Sequence, residues 1–175
     1  EHDLSFTERP TWKHKLVSEA SSRTVGIDIL EDYVETLRQR GYDIRSCDAT
    51  SDEFIGETFD VVIIGDVIEH VDNPVKLVRF ALRHLNQDGT IIAKTPNPFF
   101  YDHIKKYTKN KAFINADHMA WFSPSMALEI ARRAGCSLDS YLIFPESGKP
   151  ILKRLLKNPD LFSRDFVYVF KHKRA

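Results

Sequence analysis

The chain is expected to fold as an open α/β sheet, and three features of the sequence predict it. Short apolar segments alternate with stretches whose apolar residues recur at helical spacing, the pattern of strands wound through right-handed crossovers. The most apolar segment, Val61–Ile64, lacks polar alternation, as expected of a parallel strand covered on both faces. Aspartates also follow three of the predicted strands, at Asp28, Asp48 and Asp66, and ligands of open α/β sheets bind beyond those carboxyl ends.

The elements follow in order. Residues 24–29 predict a short buried strand ending in an acid. Leu30, Val34 and Leu37 then recur at helical spacing, with Gly41 placed for a C-terminal cap. Residues 42–47 alternate like a strand, and residues 59–66 give the apolar strand described above. Asn73 is a capping residue before Pro74, and Val75, Val78, Leu82 and Leu85 give the next helix one apolar stripe. Asp88-Gly89 predicts a turn into a strand over 90–94, and residues 96–119 read as a long lid-like loop with little regular structure. Ser123-Pro124 opens a helix carrying Leu128, Ile130, Ala131 and Ala134, which Gly135 ends. Residues 137–144 and 165–170 are expected as strands, paired antiparallel at one edge because no convincing helix connects them.

Length and composition narrow the class. A chain of 175 residues suits a single domain over 1–175 with a sizeable core. No apolar run approaches the roughly 20 residues that cross a bilayer, and Cys47 and Cys136 are too few for a disulfide framework. A reduced, cytoplasmic setting is expected. The first residue is Glu1 and the only methionines are Met119 and Met126, so a longer N-terminus is expected too. Net charge is zero, but residues 141–175 carry 8 Lys/Arg against 3 Asp/Glu, whereas residues 1–140 carry 17 against 22. That balance does not point to a dedicated nucleic-acid binder, although it leaves room for a local basic face.

The three acids carry chemistry. A carboxylate after a strand can accept hydrogen bonds from both ribose hydroxyls, and one twenty residues on can take an exocyclic adenine amine. Strand-ending aspartates also serve as turn residues, but three in register favour a nucleoside site. Val25–Asp28, Asp48–Thr50, the block FDVVIIGDVIEHVDNP over 59–74, and Leu85–Ile91 together resemble class I S-adenosylmethionine-dependent methyltransferases, and within them the ubiquinone-biosynthesis-like small-molecule group. The stretch HMAWFSP over 118–124 resembles the entry to a late helix in the same group.

The resemblance spans about residues 22–145. It implies a Rossmann-like seven-stranded sheet of order 3-2-1-4-5-7-6 with the last strand antiparallel. S-adenosylmethionine is the implied cofactor, its ribose on Asp28 beside Ile29 and its adenine at Asp48 and Ala49. Asp66 and Val67 would border its methionine part and the acceptor pocket. Thr11–Ala20 is similar to the family's first helix. The family's first strand and glycine-rich turn have no counterpart here, and a stretch between about Phe6 and Lys15 is expected to be omitted.

Methyl transfer needs in-line positioning and, for a hydroxyl acceptor, removal of its proton. His70 follows the fourth strand of that order and is the candidate base, with Glu69 beside it. Asp66, Glu69 and His70 form D-x-x-E-H, similar to the E-x-x-E-H of metal-binding relatives, where His118 would supply the later histidine. With the shorter Asp at its head, the set is assigned no metal. The plainer role for Glu69 and His70 is to start the next helix, with His118 packed at the lid base. The lysines between Phe99 and Lys111 are read as a solvated loop. Residues 146–175 are a basic segment whose Lys149, Lys153, Arg154 and Lys157 interleave with leucines, as in a helix packed on its domain or touching a membrane surface.

The expected function is methyl transfer to a small-molecule, lipid-linked or glycan acceptor. The alternatives are a metal-assisted RNA or quinol O-methyltransferase, or a methyltransferase-like binding module without catalysis.

Overall fold

A computed structural model describes residues 7, 9–109, 117–146 and 156–173. The chain divides into two compact units, Glu1–Glu53 and Phe54–Ala175.

The first unit is a β-α-β turn of the chain preceded by a helix. Helix α1 (Lys13–Ala20) leads to strand β1 (Gly26–Asp28), helix α2 (Glu31–Gln39) and strand β2 (Ile44–Ser46), and β1 pairs parallel with β2. Val34 and Leu37 lie four and seven residues after Leu30 and meet Ile44 in the unit's core, where Trp12 and Tyr42 pack over them. Trp12 meets Tyr42 edge-on at 4.8 Å between ring centroids. Leu30, expected on this apolar face, is exposed instead.

The second unit contains β3 (Phe59–Gly65), α3 (Pro74–Arg83), β4 (Leu85–Pro96), α4 (Tyr101–Tyr107), α5 (Pro124–Ala134), β5 (Cys136–Pro145), a single 3-10 turn over Pro159–Phe162, and β6 (Ser163–His172). Its four strands run in the order β3-β4-β6-β5. β3 and β4 are parallel, and β6 is antiparallel to both of its neighbours. The predicted capping chemistry is present at both long helices. The Asn73 side chain accepts from the Lys76 N–H at 3.0 Å, and Ser123 accepts from the Met126 N–H. Gly135 ends α5 at φ 91°, a left-handed cap that residues with a Cβ resist.

Strand register places the core. Ile91, Ala93 and Thr95 of β4 stand opposite Phe170, Tyr168 and Phe166 of β6, and all six are fully buried. Helices α3 and α5 pack on each other, α3 against β4 and α5 against β5. Tyr168 Oη donates to the Phe122 carbonyl at 2.7 Å, which ties the sheet to the entry of α5.

Several expectations are corrected. Among the described residues, six strands in two sheets stand in place of the seven-stranded order. The four-stranded sheet has the order and the antiparallel strand of the 4-5-7-6 half, and among the described residues no strand precedes Gly26. Part of the predicted omission between Phe6 and Lys15 falls outside the described residues. β3 is not covered on both faces. Among the described strands it lies at the edge of its sheet, and Val61 and Ile63, on the face opposite Ile64, are each 49% exposed. Asp88-Gly89 lies within β4 at a break in its register, where a bulge of three extra residues carries the chain from Leu85, opposite Phe59, to Thr90, opposite Val61, where the regular pairing begins. A Cβ on Gly89 would sit 2.9 Å from the Asp60 carbonyl, so the bulge needs glycine there. Of the predicted stripe, Val78 and Leu85 are buried and Val75 and Leu82 half-buried, while Leu77, Phe80 and Ala81 complete the buried face of α3. The predicted loop over 96–119 contains α4, while its residues 110–116 lie outside the described residues. So do residues 147–155 and 174–175 of the predicted basic segment.

Phe170→Ala removes a fully buried ring and is expected to cost about 3–5 kcal/mol in urea unfolding. Leu128→Ala, on a residue predicted inside but 58% exposed, is expected to change stability by less than about 0.5 kcal/mol.

Candidate functional site

The carboxyl end of β3 turns sharply. Asp66 adopts φ 58°, a left-handed conformation that aspartate tolerates better than most residues. Its N–H donates to the Lys94 carbonyl at 3.0 Å. The Lys94 ammonium in turn donates to Asp66 Oδ1 at 2.5 Å and reaches Asp165 Oδ1 at 3.1 Å. Burial works against that ammonium's charge, but its bonds to the two carboxylates outweigh burial and hold its pKa above the ordinary lysine value. Val67 is exposed and Ile68 is buried.

Glu69 and His70 close the turn but do not cap α3, a task that falls to Asn73. Glu69 is 1% exposed. Its Oε2 accepts from the Thr95 hydroxyl at 3.0 Å, and its Oε1 is buried without a hydrogen-bond partner. The Glu69 carbonyl accepts from the N–H groups of Met119 at 2.8 Å and Ala120 at 3.3 Å, which seats His118 beside the turn. The rings of His70 and His118 meet edge-on at 4.8 Å. Glu69, His70 and His118 each offer a ligand atom within 4.8 Å of the others.

The His70 ring is oriented by Asp117, whose carbonyl lies 3.0 Å from Nδ1 and whose carboxylate lies 3.5 Å from it. A carbonyl only accepts, so Nδ1 carries the hydrogen in that bond. The lone pair of the neutral ring is then on Nε2. Such a nitrogen can take a proton or hold a cation.

In the first unit, Asp28 and Asp48 stand at the carboxyl ends of β1 and beyond β2, as predicted. Each also serves its own turn. Asp28 Oδ1 accepts from the Leu30 N–H at 2.9 Å, and Asp48 Oδ1 accepts from the Thr50 N–H at 2.7 Å and its hydroxyl at 2.8 Å. Ile29, next to Asp28, is 64% exposed. Ala49 is half-buried.

Sequence reasoning missed Lys94, Thr95 and Asn97. The available signal was the apolar run Ile91-Ile92-Ala93 continuing into Lys-Thr-Pro-Asn. Asn97 is fully buried and satisfied. Its amide donates to the carbonyls of Asp160 at 2.7 Å and Ser163 at 2.8 Å, and its Oδ1 accepts from the Phe99 N–H at 2.8 Å. It fixes the start of β6 against the end of β4, which brings Asp165 to Lys94.

Comparison with known proteins agrees with this architecture. Residues 12–141 match the family described as "Methyltransferase domain". No curated protein matches significantly. Among solved structures, a SAM-dependent methyltransferase from Archaeoglobus fulgidus is similar at 19% identity and a TM-score of 0.66, covering 90% of this chain and 79% of that one. Magnesium protoporphyrin IX methyltransferase from Synechocystis, solved with bound SAH, is similar at 13% identity and 0.62, covering 91% and 68%. A Haloferax volcanii methyltransferase in complex with its Trm112 activator is similar at 15% identity and 0.62, covering 91% and 77%. With the family matched over most of its length and the fold shared, the chain belongs to the methyltransferase domain family of enzymes.

Proposed function

We propose that the chain catalyses methyl transfer from S-adenosylmethionine to a small-molecule, lipid-linked or glycan acceptor, as one methyltransferase domain of the ubiquinone-biosynthesis-like group. The observation that carries this reading is the family match over residues 12–141, which takes in all of the strand-ending acids. S-adenosylmethionine is the methyl donor and supplies an electrophilic methyl group on a sulfonium. Asp28 binds the ribose hydroxyls with Ile29 against them, and Asp48 and Ala49 meet the adenine. Asp66 and Val67 border the methionine part and the acceptor. The two strand-end carboxylates suit such a ligand because each is already oriented by a local turn.

His70 is the general base for a hydroxyl acceptor. The Asp117 carbonyl holds its Nδ1–H, so Nε2 takes the acceptor's proton as the oxygen becomes the nucleophile. Glu69 fixes the neighbouring peptide through its contacts with Met119 and Ala120, which sets the position of the His70 ring. No described helix is long and apolar enough to cross a membrane, and the chain is proposed to act in the cytoplasm. A membrane contact of the basic segment over 146–175 is proposed on its composition alone.

Calorimetry with S-adenosylhomocysteine tests the cofactor. Wild type is expected to bind, and Asp28→Ala to bind roughly tenfold or more weakly through loss of charge-assisted hydrogen bonds. Absence of any binding heat in wild type would overturn the reading.

A second reading is favoured by a specific observation, the buried Oε1 of Glu69 without a partner. One carboxylate oxygen and two imidazole nitrogens form a donor set that suits a borderline divalent cation. Bond lengths of about 2.0–2.2 Å put tetrahedral ligands roughly 3.4 Å apart, so groups now within 4.8 Å need only small side-chain rotations. Glu69, His70 and His118 would hold such an ion, which would stabilise a deprotonated acceptor oxygen. Addition of zinc or manganese to the apo chain is then expected to raise its unfolding midpoint, by about 2.7 kcal/mol of stabilisation at a hundredfold excess over Kd. His118→Ala is expected to abolish the shift. An unshifted wild type would exclude the metal and leave His70 as the base.

A further inference from the structure

The grip of Lys94 on Asp66 has no part in the function argued so far. β4 pairs in parallel with β3 so that Lys94 stands beside Gly65, the last residue before the turn. Two bonds then join residues 66 and 94: the Asp66 N–H to the Lys94 carbonyl at 3.0 Å, and the Lys94 ammonium to Asp66 Oδ1 at 2.5 Å. The first fixes the peptide and the second fixes the side chain, and between them Asp66 is held at φ 58°. Asp165 of β6 anchors the ammonium from the other side at 3.1 Å. Without the lysine, the two carboxylates gathered on that ammonium would repel each other. All three side chains are about one-third exposed, so solvent reaches the cluster only in part.

We propose that Lys94 is a positioning residue for the methyl-donor site: its ammonium, anchored by Asp165, locks Asp66 in the left-handed conformation that sets where Asp66 and Val67 meet the cofactor. The inference rests on the assignment of Asp66 and Val67 to S-adenosylmethionine made above. Lys94 acts through Asp66 and does not itself touch the ligand. The D-x-x-E-H motif therefore divides its labour. Its first acid is committed to a lysine on the neighbouring strand, while Glu69 and His70 gather with His118.

Two readouts test this in the whole chain. Amide hydrogen exchange at Asp66, followed without ligand, reports the lock itself. Lys94→Met is expected to speed that exchange about tenfold or more, as release of a strained backbone conformation would, while Lys94→Arg, which keeps the charge, stays within about threefold. Should Lys94→Met not fold, Lys94→Gln carries the same expectation. Unchanged exchange at Asp66 in the neutral variant would overturn the proposal.

Calorimetry with S-adenosylhomocysteine then reports the consequence. Lys94→Met is expected to weaken binding about tenfold in the natural background and by less than about twofold in an Asp66→Gly background, where glycine adopts the conformation unaided. Equal losses in both backgrounds would show that Lys94 contacts the ligand directly and would sink the positioning role. If wild type binds no S-adenosylhomocysteine, the cofactor assignment fails, and with it the link to Asp66; the exchange measurement still decides whether the lock exists.

Discussion

Period-two alternation at the end of one strand is the constraint on which the site in the second unit depends. Successive residues of a strand point to opposite faces, so Lys94 and Thr95 leave β4 in opposite directions. Lys94 takes Asp66 on one face, and Thr95 takes Glu69 on the other, the face of the buried core. The turn between these two acids is thus gripped from both sides of the sheet by consecutive residues. A one-residue slip of β4 against β3 would exchange the two grips and put an ammonium where a hydroxyl is buried. The apolar pairing of Val62 and Ile64 of β3 with Ile91 and Ala93 of β4 therefore fixes more than the core. It fixes which acid meets which partner.

The cost of that arrangement falls on Glu69. A carboxylate taken almost wholly out of water loses solvation that one hydroxyl restores only in part. Apolar side chains of the same size would fill the position at less expense, as its neighbour Ile68 does. Burial of an acid whose second oxygen lacks a protein partner is thus poorly explained by stability. On the second reading, a cation shared with the two imidazoles gathered beside it would satisfy the orphaned oxygen. The backbone reinforces this, because the carbonyl of the same residue seats Met119 and Ala120, and hence His118.

Much of the framework was legible because it follows from local chemistry. Alternation of Phe166, Tyr168 and Phe170 announced β6, and Asn73 and Ser123 announced their helices through capping geometry that needs only neighbours in sequence. The sharing of an edge by β5 and β6 followed from the absence of a crossover helix. What could not be read locally was coverage and encounter. Val61–Ile64 looked like a strand buried on both faces, yet residue type cannot reveal that a strand lies at an edge. His118 is far from Glu69 in sequence, and only the docking of its segment on the Glu69 carbonyl brings it to His70. Lys94 carried no periodic signal, because a polar residue at a strand end is compatible with mere exposure.

The strand-ending acids show why a structural and a functional role need not compete. A carboxylate has two oxygens and about four acceptor sites. Asp28 spends one oxygen on the Leu30 N–H and Asp48 spends one on Thr50, the local bonds expected of any turn aspartate. Those bonds also remove rotational freedom from the carboxylate, so that a ligand hydroxyl or amine would meet an acceptor already aimed. The entropy of orienting it has been spent on folding and is not charged again on binding. Asp66 extends the same logic with a partner from another strand: its carboxylate is held by Lys94 and its peptide by the Lys94 carbonyl. At all three strand ends the aspartate is thus fixed before any ligand arrives, and in each case the turn it stabilises is the means by which it is aimed.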